Sequence, residues 1–352
     1  MVVVMEPGAT GADVDAVVER VRSAGGEAFV SRGVSRTIIG LVGDNVDEFR
    51  ALNLRSMAGV ADVIRVSSPF KLVSLDNHPG RSTVVVGGSD RGVPIGPGTF
   101  TLIAGPCAVE SAQQTFQAAE MAQAAGATLL RGGAFKPRTS PYDFQGLGEQ
   151  GLQILAEVRE STGLPIVTEV LDANDVPLVA QYADMLQVGT RNMHNYALLQ
   201  AVGRAHLPVL LKRGMQATVE EWLTAAEYVA LRGNLDIVLC ERGIRTFETS
   251  TRNTLDISAV PVVQQLSHLP VMVDPSHSGG RRDLVLPLAR AAIAVGADGI
   301  LVDVHPAPEE ALVDGAQALV GADLRELASA VRRLPPVVGR RPAERLAPAG
   351  AS

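Results

Sequence analysis

The stretch Val209-Leu-Leu-Lys212-Arg-Gly-Met-Gln-Ala-Thr218-Val-Glu-Glu221 joins a short apolar run to a helix start through a polar turn. Val209–Lys212 has the length and composition of a buried strand. Thr218, with Glu221 three residues on, fits a capping box, in which hydroxyl and carboxylate satisfy reciprocal backbone donors. A cation, Lys212, stands at the strand's C-terminal end. Working outward, the same unit recurs. Strands are expected at Thr101–Ala104, Thr128–Arg131, Pro165–Glu169, Met185–Val188, Ile237–Leu239, Val271–Val273 and Gly299–Val304, each followed by a helical segment. Ser111-Ala-Gln-Gln114 offers a second capping box. Eight strands, each followed by a helix, over roughly 230 residues is the number expected of a (β/α)8 TIM barrel. An open doubly wound sheet is the alternative, because strand number alone does not prove closure.

Ahead of this alternation, residues 1–68 read as a small β-α-β-β-α-β unit. Val2–Met5, Glu27–Ser31, Arg36–Val42 and Val60–Val66 are strand-like, with a turn at Gly33. Asp13–Ala24 carries Val14, Val17, Val18 and Val21 at helical spacing, and Val46–Leu54 is a second, weaker helix. The order predicts a ferredoxin-like α+β domain. Residues 69–99, rich in Pro, Gly, Ser and Asp, read as a linker; 100–333 form the barrel, and 334–352, rich in Pro, Ala and Arg, a flexible tail.

Composition narrows the function. A 46% hydrophobic and 20% charged chain of 352 residues can bury a large core, so wholesale disorder is excluded. A net charge of −7 with 4% aromatic residues argues against nucleic acid as a partner. Only Cys107 and Cys240 are present, too few for a disulfide framework, which points to a reducing compartment. The N-terminus lacks a basic signal-peptide region, and the longest apolar runs are cut by Arg290, Asp298 and Asp303, so no membrane span is expected. The expectation is a soluble, cytoplasmic protein.

The chemistry-bearing residues fall at the C-terminal ends of the expected strands. Arg131, Lys136 and Arg138 crowd the loop after the second strand, Leu130-Arg-Gly-Gly-Ala-Phe-Lys-Pro-Arg-Thr-Ser140. Three cations on one short loop repel one another unless anions arrive to neutralise them. Arg191 follows the fourth strand, Lys212 ends the fifth, and Arg242 with Arg245 follows the sixth. In a barrel these ends share one face. Six of the cations, Arg131, Lys136, Arg138, Arg191, Lys212 and Arg242, form a ring that exceeds the need of one phosphate and suggests two anionic substrates, or one with several charges. Cys107, His277, Asp303 and Asp314 add one sulfur, one nitrogen and carboxylate oxygens after the first, seventh and eighth strands. That mixture suits one divalent metal ion of the Mn, Fe, Co or Zn class. Taken singly, a cysteine is more often a small buried hydrophobe and a histidine a hydrogen-bonded structural residue. Cys240, at the end of an apolar strand, receives that reading. The irregular turns Ala104-Gly-Pro-Cys-Ala-Val-Glu-Ser111 and Asp274-Pro-Ser-His-Ser-Gly-Gly280 set Cys107 and His277 apart. Glu110, Glu169, Arg213, Arg245 and His305 lie near the expected rim without assigned roles.

Gly105-Pro-Cys107, Arg131 with Lys136-Pro-Arg-Thr139, Gly189-Thr-Arg191, Leu211-Lys-Arg213, Glu241-Arg242, Asp274-Pro-Ser-His277 and Asp314-Gly315 together resemble the type I 3-deoxy-D-arabino-heptulosonate 7-phosphate (DAHP) synthases, over residues of about 100 to 330. Residues 1–68 resemble the ferredoxin-like regulatory domain of the type Iβ subgroup. The resemblance implies a metal-dependent aldol-type condensation of phosphoenolpyruvate with erythrose 4-phosphate, the first step of the shikimate pathway. It assigns Arg131, Lys136, Arg191, Lys212 and Arg242 to phosphoenolpyruvate, and Arg138 with Thr139 to the sugar phosphate. Lys136 and Lys212 become the catalytic lysines. It makes Cys107, His277, Asp303 and Asp314 the metal ligands. It further implies an aromatic amino acid effector on the N-terminal domain and a homo-oligomer, a tetramer in the subgroup. The chain departs from the family pattern at Asp303, where glutamate is usual. Aspartate is shorter by about 1.5 Å of reach, against a tolerance of about 0.2 Å in metal–ligand distance. Direct or water-mediated ligation by Asp303 is expected. Three rivals remain: an octulosonate 8-phosphate synthase using arabinose 5-phosphate, whose loop reads Lys-Ala-Asn-Arg-Ser, a non-catalytic barrel sensing phosphorylated metabolites, and a metal-dependent hydrolase or phosphatase on the same barrel, for which six cations are more than enough.

Overall fold

The structure is a computed structural model that describes residues 1–32, 37–42, 52–64, 69–88 and 92–346. It divides into two compact units, Met1–Pro69 and Phe70–Ser352.

The first unit holds β1 (Val2–Met5), α1 (Gly11–Ser23), β2 (Glu27–Arg32), β3 (Thr37–Val42) and β4 (Val60–Ile64). The strands form an antiparallel sheet of order β2-β3-β1-β4, the ferredoxin-like arrangement. A capping box starts α1: Asp13 N–H donates to Thr10 Oγ1 at 3.2 Å and Thr10 N–H donates to Asp13 Oδ2 at 2.8 Å. The helix then buries Val14, Val17, Val18 and Val21, the 3.6-residue stripe, against Val3, Met5, Ile39 and Leu41. The Gly33 turn and residues 46–51 of the expected second helix lie outside the described residues; Leu54–Ser56 form a single 3₁₀ turn.

In the second unit, β5 (Val84–Val86) and β6 (Val93–Ile95) form a hairpin ahead of eight parallel strands. These are β7 (Thr99–Gly105), β8 (Leu129–Arg131), β9 (Ile166–Glu169), β10 (Met185–Val188), β11 (Val209–Lys212), β12 (Ile237–Glu241), β13 (Val271–Val273) and β14 (Gly299–Asp303). Each pairs with the next, and β14 pairs with β7 from Gly299↔Thr101 to Asp303↔Gly105. That last ladder closes the sheet and excludes the open alternative. Helices α2 (Ala112–Ala124), α3 (Glu149–Thr162), α4 (Val176–Val179), α5 (Tyr196–Arg204), α6 (Val219–Ala230), α7 (Ala259–Leu266), α8 (Pro275–Gly279), α9 (Arg282–Ala294) and α10 (Gly321–Arg333) return the chain between strands and after the last. Successive strand residues point to opposite faces. Thus Leu102, Leu130 and Ile166 pack into the helix layer, while Ile103, Leu129, Val167, Met185, Leu210, Val238, Met272 and Leu301 fill the interior. Trp222, fully buried, fastens α6 to β11 by donating from Nε1 to the Leu211 carbonyl at 3.2 Å.

Three local expectations are corrected. The linker is structured: Val84, Val86, Val93 and Ile95 join the interior cluster and floor the barrel. The tail is held through residue 346. Arg341 and Pro342 pair with Thr99 and Phe100, and Arg340 Nη1 donates to Asp298 Oδ1 at 2.7 Å, satisfying a buried carboxylate. At α2 the capping is one-sided. Ser111 Oγ accepts from Gln114 N–H at 3.1 Å, but the Gln114 amide turns to Glu110 and Ala108 instead of Ser111. The box at Thr218 and Glu221 is complete.

Candidate active site

The rim formed by the C-terminal strand ends opens on a cavity of about 370 Å³. Its lining includes all seven residues expected to bind substrate: Arg131, Lys136, Arg138, Thr139, Arg191, Lys212 and Arg242. Arg131, Lys136, Lys212 and Arg242 are buried, whereas Thr139 and Arg191 stand exposed at the mouth. Buried guanidinium atoms without a protein partner are costly unless a ligand meets them. Arg131 Nε, Arg138 Nη1, and Arg242 Nε and Nη1 are such atoms. Burial, with the charge of Arg252 opposing it too, pulls the Arg242 guanidinium below its usual range, although Asp274 acts the other way.

One donor atom from each of Cys107, His277, Asp303 and Asp314 lies within 4.8 Å of all the others, close enough to share one ion. Local structure explains how. Gly105 lets β7 end against β8, since a side chain there would run into the Arg131 carbonyl, and the turn then delivers Cys107. Its Sγ lies 3.2 Å from Asp314 Oδ2, 3.7 Å from His277 Nε2 and 3.2 Å from Lys136 Nζ. Burial pushes the thiol pKa up, but Lys136, Arg131 and His277 together bring it down to about 6. A thiolate is therefore ready at neutral pH, as a soft ligand requires. Cys240, packed in the barrel interior, is pushed up to about 12 by burial and stays an inert thiol.

His277 rides on α8, whose first turn is capped by Asp274: its Oδ1 accepts from the His277 N–H at 2.8 Å. The other oxygen, Oδ2, lies 2.8 Å from His277 Nδ1, which turns Nε2 towards the donor cluster. Lys212 Nζ sits 2.5 Å from the same Oδ2. Burial alone would raise the Asp274 carboxyl, yet His277 and Lys212 hold it well below the carboxylate range. Asp274 is thus the outer partner that orients a ligand histidine. It was missed in the sequence, although its place three residues before His277, ahead of a proline, is an N-cap signal.

Asp303 is fully buried, and both its oxygens are engaged. Oδ1 pairs with Arg131, and Oδ2 accepts from Gln317 Nε2 at 2.7 Å while lying 3.7 Å from His277 Nε2. The shorter aspartate still brings Oδ2 to the cluster. Asp314 stands in the left-handed region at φ 55, with Oδ2 turned inward, 3.5 Å from His277 Nε2. His277, Arg252 and Cys107 overcome its burial and hold its carboxyl far below the usual range.

Glu169 lines the cavity and accepts from Gln187 Nε2 at 3.2 Å; a side chain at position 189 would collide with its carboxylate, so Gly189 makes its room. Arg245 also lines the cavity. Arg213 does not face it. It is buried between Glu241 Oε2 at 3.0 Å and Asp256 Oδ2 at 2.8 Å, bracing the ends of β11 and β12 that carry Lys212 and Arg242. Glu110 and His305 pair at 3.5 Å outside the cavity.

A closed barrel with a buried cation cluster and a sulfur, nitrogen and oxygen donor set at its C-terminal rim defines an enzyme that handles phosphorylated substrates. The chain belongs to the DAHP synthetase I family, whose model matches residues 77–337; a model of the DAHP synthase ferredoxin-like domain matches residues 1–68. A phospho-2-dehydro-3-deoxyheptonate aldolase of Thermotoga maritima is 51% identical over 343 residues, 96% of this chain and 99% of that one. The crystal structure of the Thermotoga maritima phospho-2-dehydro-3-deoxyheptonate aldolase (DAHP synthase) superposes with a TM-score of 0.85 at 50% identity, covering 97% of this chain and 98% of that one. A truncated form of the Thermotoga synthase covers 78% of this chain and 100% of its own, with a TM-score of 0.72 at 50% identity. A 2-dehydro-3-deoxyphosphooctonate aldolase of Magnetococcus marinus is 35% identical over 254 residues, 67% of this chain and 87% of its own. Among the described residues no helix is long and apolar enough to cross a membrane.

Proposed function

We propose that the cavity condenses phosphoenolpyruvate with erythrose 4-phosphate and water to give DAHP and inorganic phosphate, with Cys107, His277, Asp303 and Asp314 holding one ion of the Mn, Fe, Co or Zn class. The observation that carries this reading is that unpartnered guanidinium atoms and the four-donor cluster meet at one rim. Arg131, Lys136, Arg191, Lys212 and Arg242 would bind the phosphate and carboxylate of phosphoenolpyruvate. Arg138 and Thr139, nearer the mouth, would take the phosphate of the sugar. The bound ion would supply Lewis acidity to the aldehyde. Buried cations hold phosphoenolpyruvate in one orientation and exclude bulk water from it. Lys136 and Lys212 are buried ammonium groups of the cavity wall and would act at its reacting end. Glu169 is a cavity carboxylate outside the donor set, suited to accept a proton from the water that adds at C2.

The heptonate aldolase matches nearly the whole chain, while the octonate aldolase matches two thirds of it. Together with Pro137-Arg138, this favours the four-carbon aldose. Steady-state assay of metal-reconstituted protein should show turnover with erythrose 4-phosphate far above that with arabinose 5-phosphate, abolished by chelation and restored by a divalent ion. Preference for arabinose 5-phosphate would transfer the protein to the octonate reaction. Ligand binding without turnover, indifferent to metal, would make it a sensor.

For residues 1–68 we infer an aromatic amino acid regulatory site, supported by the match to the ferredoxin-like domain. Deleting them should leave an active barrel that tyrosine and phenylalanine no longer inhibit. A full-length enzyme already insensitive to both discards this role.

A further inference from the structure

We propose that Arg252 is a positioning residue for Asp314: it reaches from the loop after β12 to the loop after β14 and decides which carboxylate oxygen faces the donor cluster. The proposal rests on reading that cluster as a metal site. Asp314 makes no side-chain cap to the 3₁₀ turn it starts, so its own loop does not orient the carboxylate. The orientation comes from across the rim. Arg252 Nη1 donates to Oδ1 at 3.0 Å, while Oδ2 alone meets Cys107 Sγ at 3.2 Å and His277 Nε2 at 3.5 Å.

Arg252 is itself fixed by the helix that carries His277. Its N–H donates to the Gly279 carbonyl at 3.3 Å, and the Asn253 N–H donates to the Ser278 carbonyl at 2.9 Å. Gly280, in the left-handed region at φ +69, clears the way, because a Cβ there would lie 2.7 Å from the Arg252 Cβ. Reciprocal bonds between Ile244 and Thr254, at 2.8 and 2.9 Å, close the base of the loop. One short helix therefore places His277 directly and Asp314 through Arg252. A half-exposed ion pair adds little to stability, so the gain lies in preorganising a ligand. Loss of an outer partner of a metal ligand typically costs about 10–100-fold in affinity. With the Arg252 side chain 40% exposed, the lower end applies.

The test titrates metal-free full-length protein with Zn²⁺ or Co²⁺ against a chromophoric chelator. Arg252→Met should bind the ion about tenfold more weakly, with an altered Co²⁺ ligand-field spectrum, and Arg252→Lys should recover part of the loss. In an Asp314→Asn background, Arg252→Met should change nothing further. Unchanged affinity and spectrum in Arg252→Met, with only a raised KM for a phosphorylated substrate, would overturn the proposal and make Arg252 a substrate contact. A further loss in the Asp314→Asn background would also overturn it, since Arg252 would then act elsewhere. A parent protein that binds neither ion would discard the metal reading itself. Arg252→Lys, which keeps the charge and most of the length, settles the question should Arg252→Met misfold.

Discussion

Replacing Cys107 with alanine should strip the protein of its divalent ion and abolish turnover, while leaving the barrel folded. The side chain is small and buried, and its sulfur serves the donor cluster more than the core. Removing a direct ligand should cost more than the roughly 10–100-fold charged to an outer partner. Serine should not rescue, because its hydroxyl stays protonated where the Cys107 thiol, at about 6, has already ionised. The parent enzyme's metal affinity should weaken as the pH falls, because protons compete with the ion for the thiolate and for the His277 imidazole, whose pKa is raised. Metal content by elemental analysis, with kcat, checks both statements. A Cys107→Ala protein that keeps one tightly bound ion and parental kcat would remove sulfur from the site.

The second large effect is expected at Lys212. Its ammonium and Asp274 are both buried, and each neutralises the other. In Lys212→Met, Asp274 keeps His277, its backbone contact and the charge of Arg242 but loses its direct ammonium partner, and breaking a buried pair from one side costs about 3–5 kcal/mol. The low end applies, because His277 Nδ1 still lies 2.8 Å away. Chemistry suffers too. The KM for phosphoenolpyruvate should rise steeply with the loss of a buried cation from the cavity. Lys212 also opposes the proton that Asp274 draws onto His277. Without it the imidazole protonates more readily, so metal binding should require a higher pH. Denaturant unfolding, steady-state kinetics and metal titration across pH read these effects. Parental stability with unchanged KM and metal profile would show Lys212 to be dispensable.

The parts legible in the sequence are those governed by local pattern. Met185–Val188, Val209–Lys212 and Val271–Val273 form strands at the expected bounds, because short apolar runs between polar turns have few other solutions. Once β14 meets β7, the cations and the donor quartet converge, since each stood at a strand's end. Relations across the rim were hidden. Nothing near Gln317 announces that its amide holds Asp303, fourteen residues back, and Arg252 lies 62 residues from Asp314. The floor hairpin was hidden differently. Val84–Val86 and Val93–Ile95 are only three residues each, and the surrounding Gly, Pro and Ser mask their alternation. The tail misleads by composition. Its prolines and alanines read as loose, but Arg340 joins Arg81 in neutralising a fully buried Asp298.

Arg131 belongs to two inventories at once. Its guanidinium bonds to Asp303 and to the Cys107 carbonyl, while its Nε waits unused in the cavity wall. On the proposed assignments, cofactor and substrate would therefore share this side chain. Whatever phosphoenolpyruvate does to the grip on the ion, the ion must do by the same factor to the grip on phosphoenolpyruvate. In this chain, where the eighth-strand carboxylate is cut short, that reciprocity would be carried by Arg131 on Asp303 and by Lys136 on the Cys107 sulfur, so each site would feel the other through two cations.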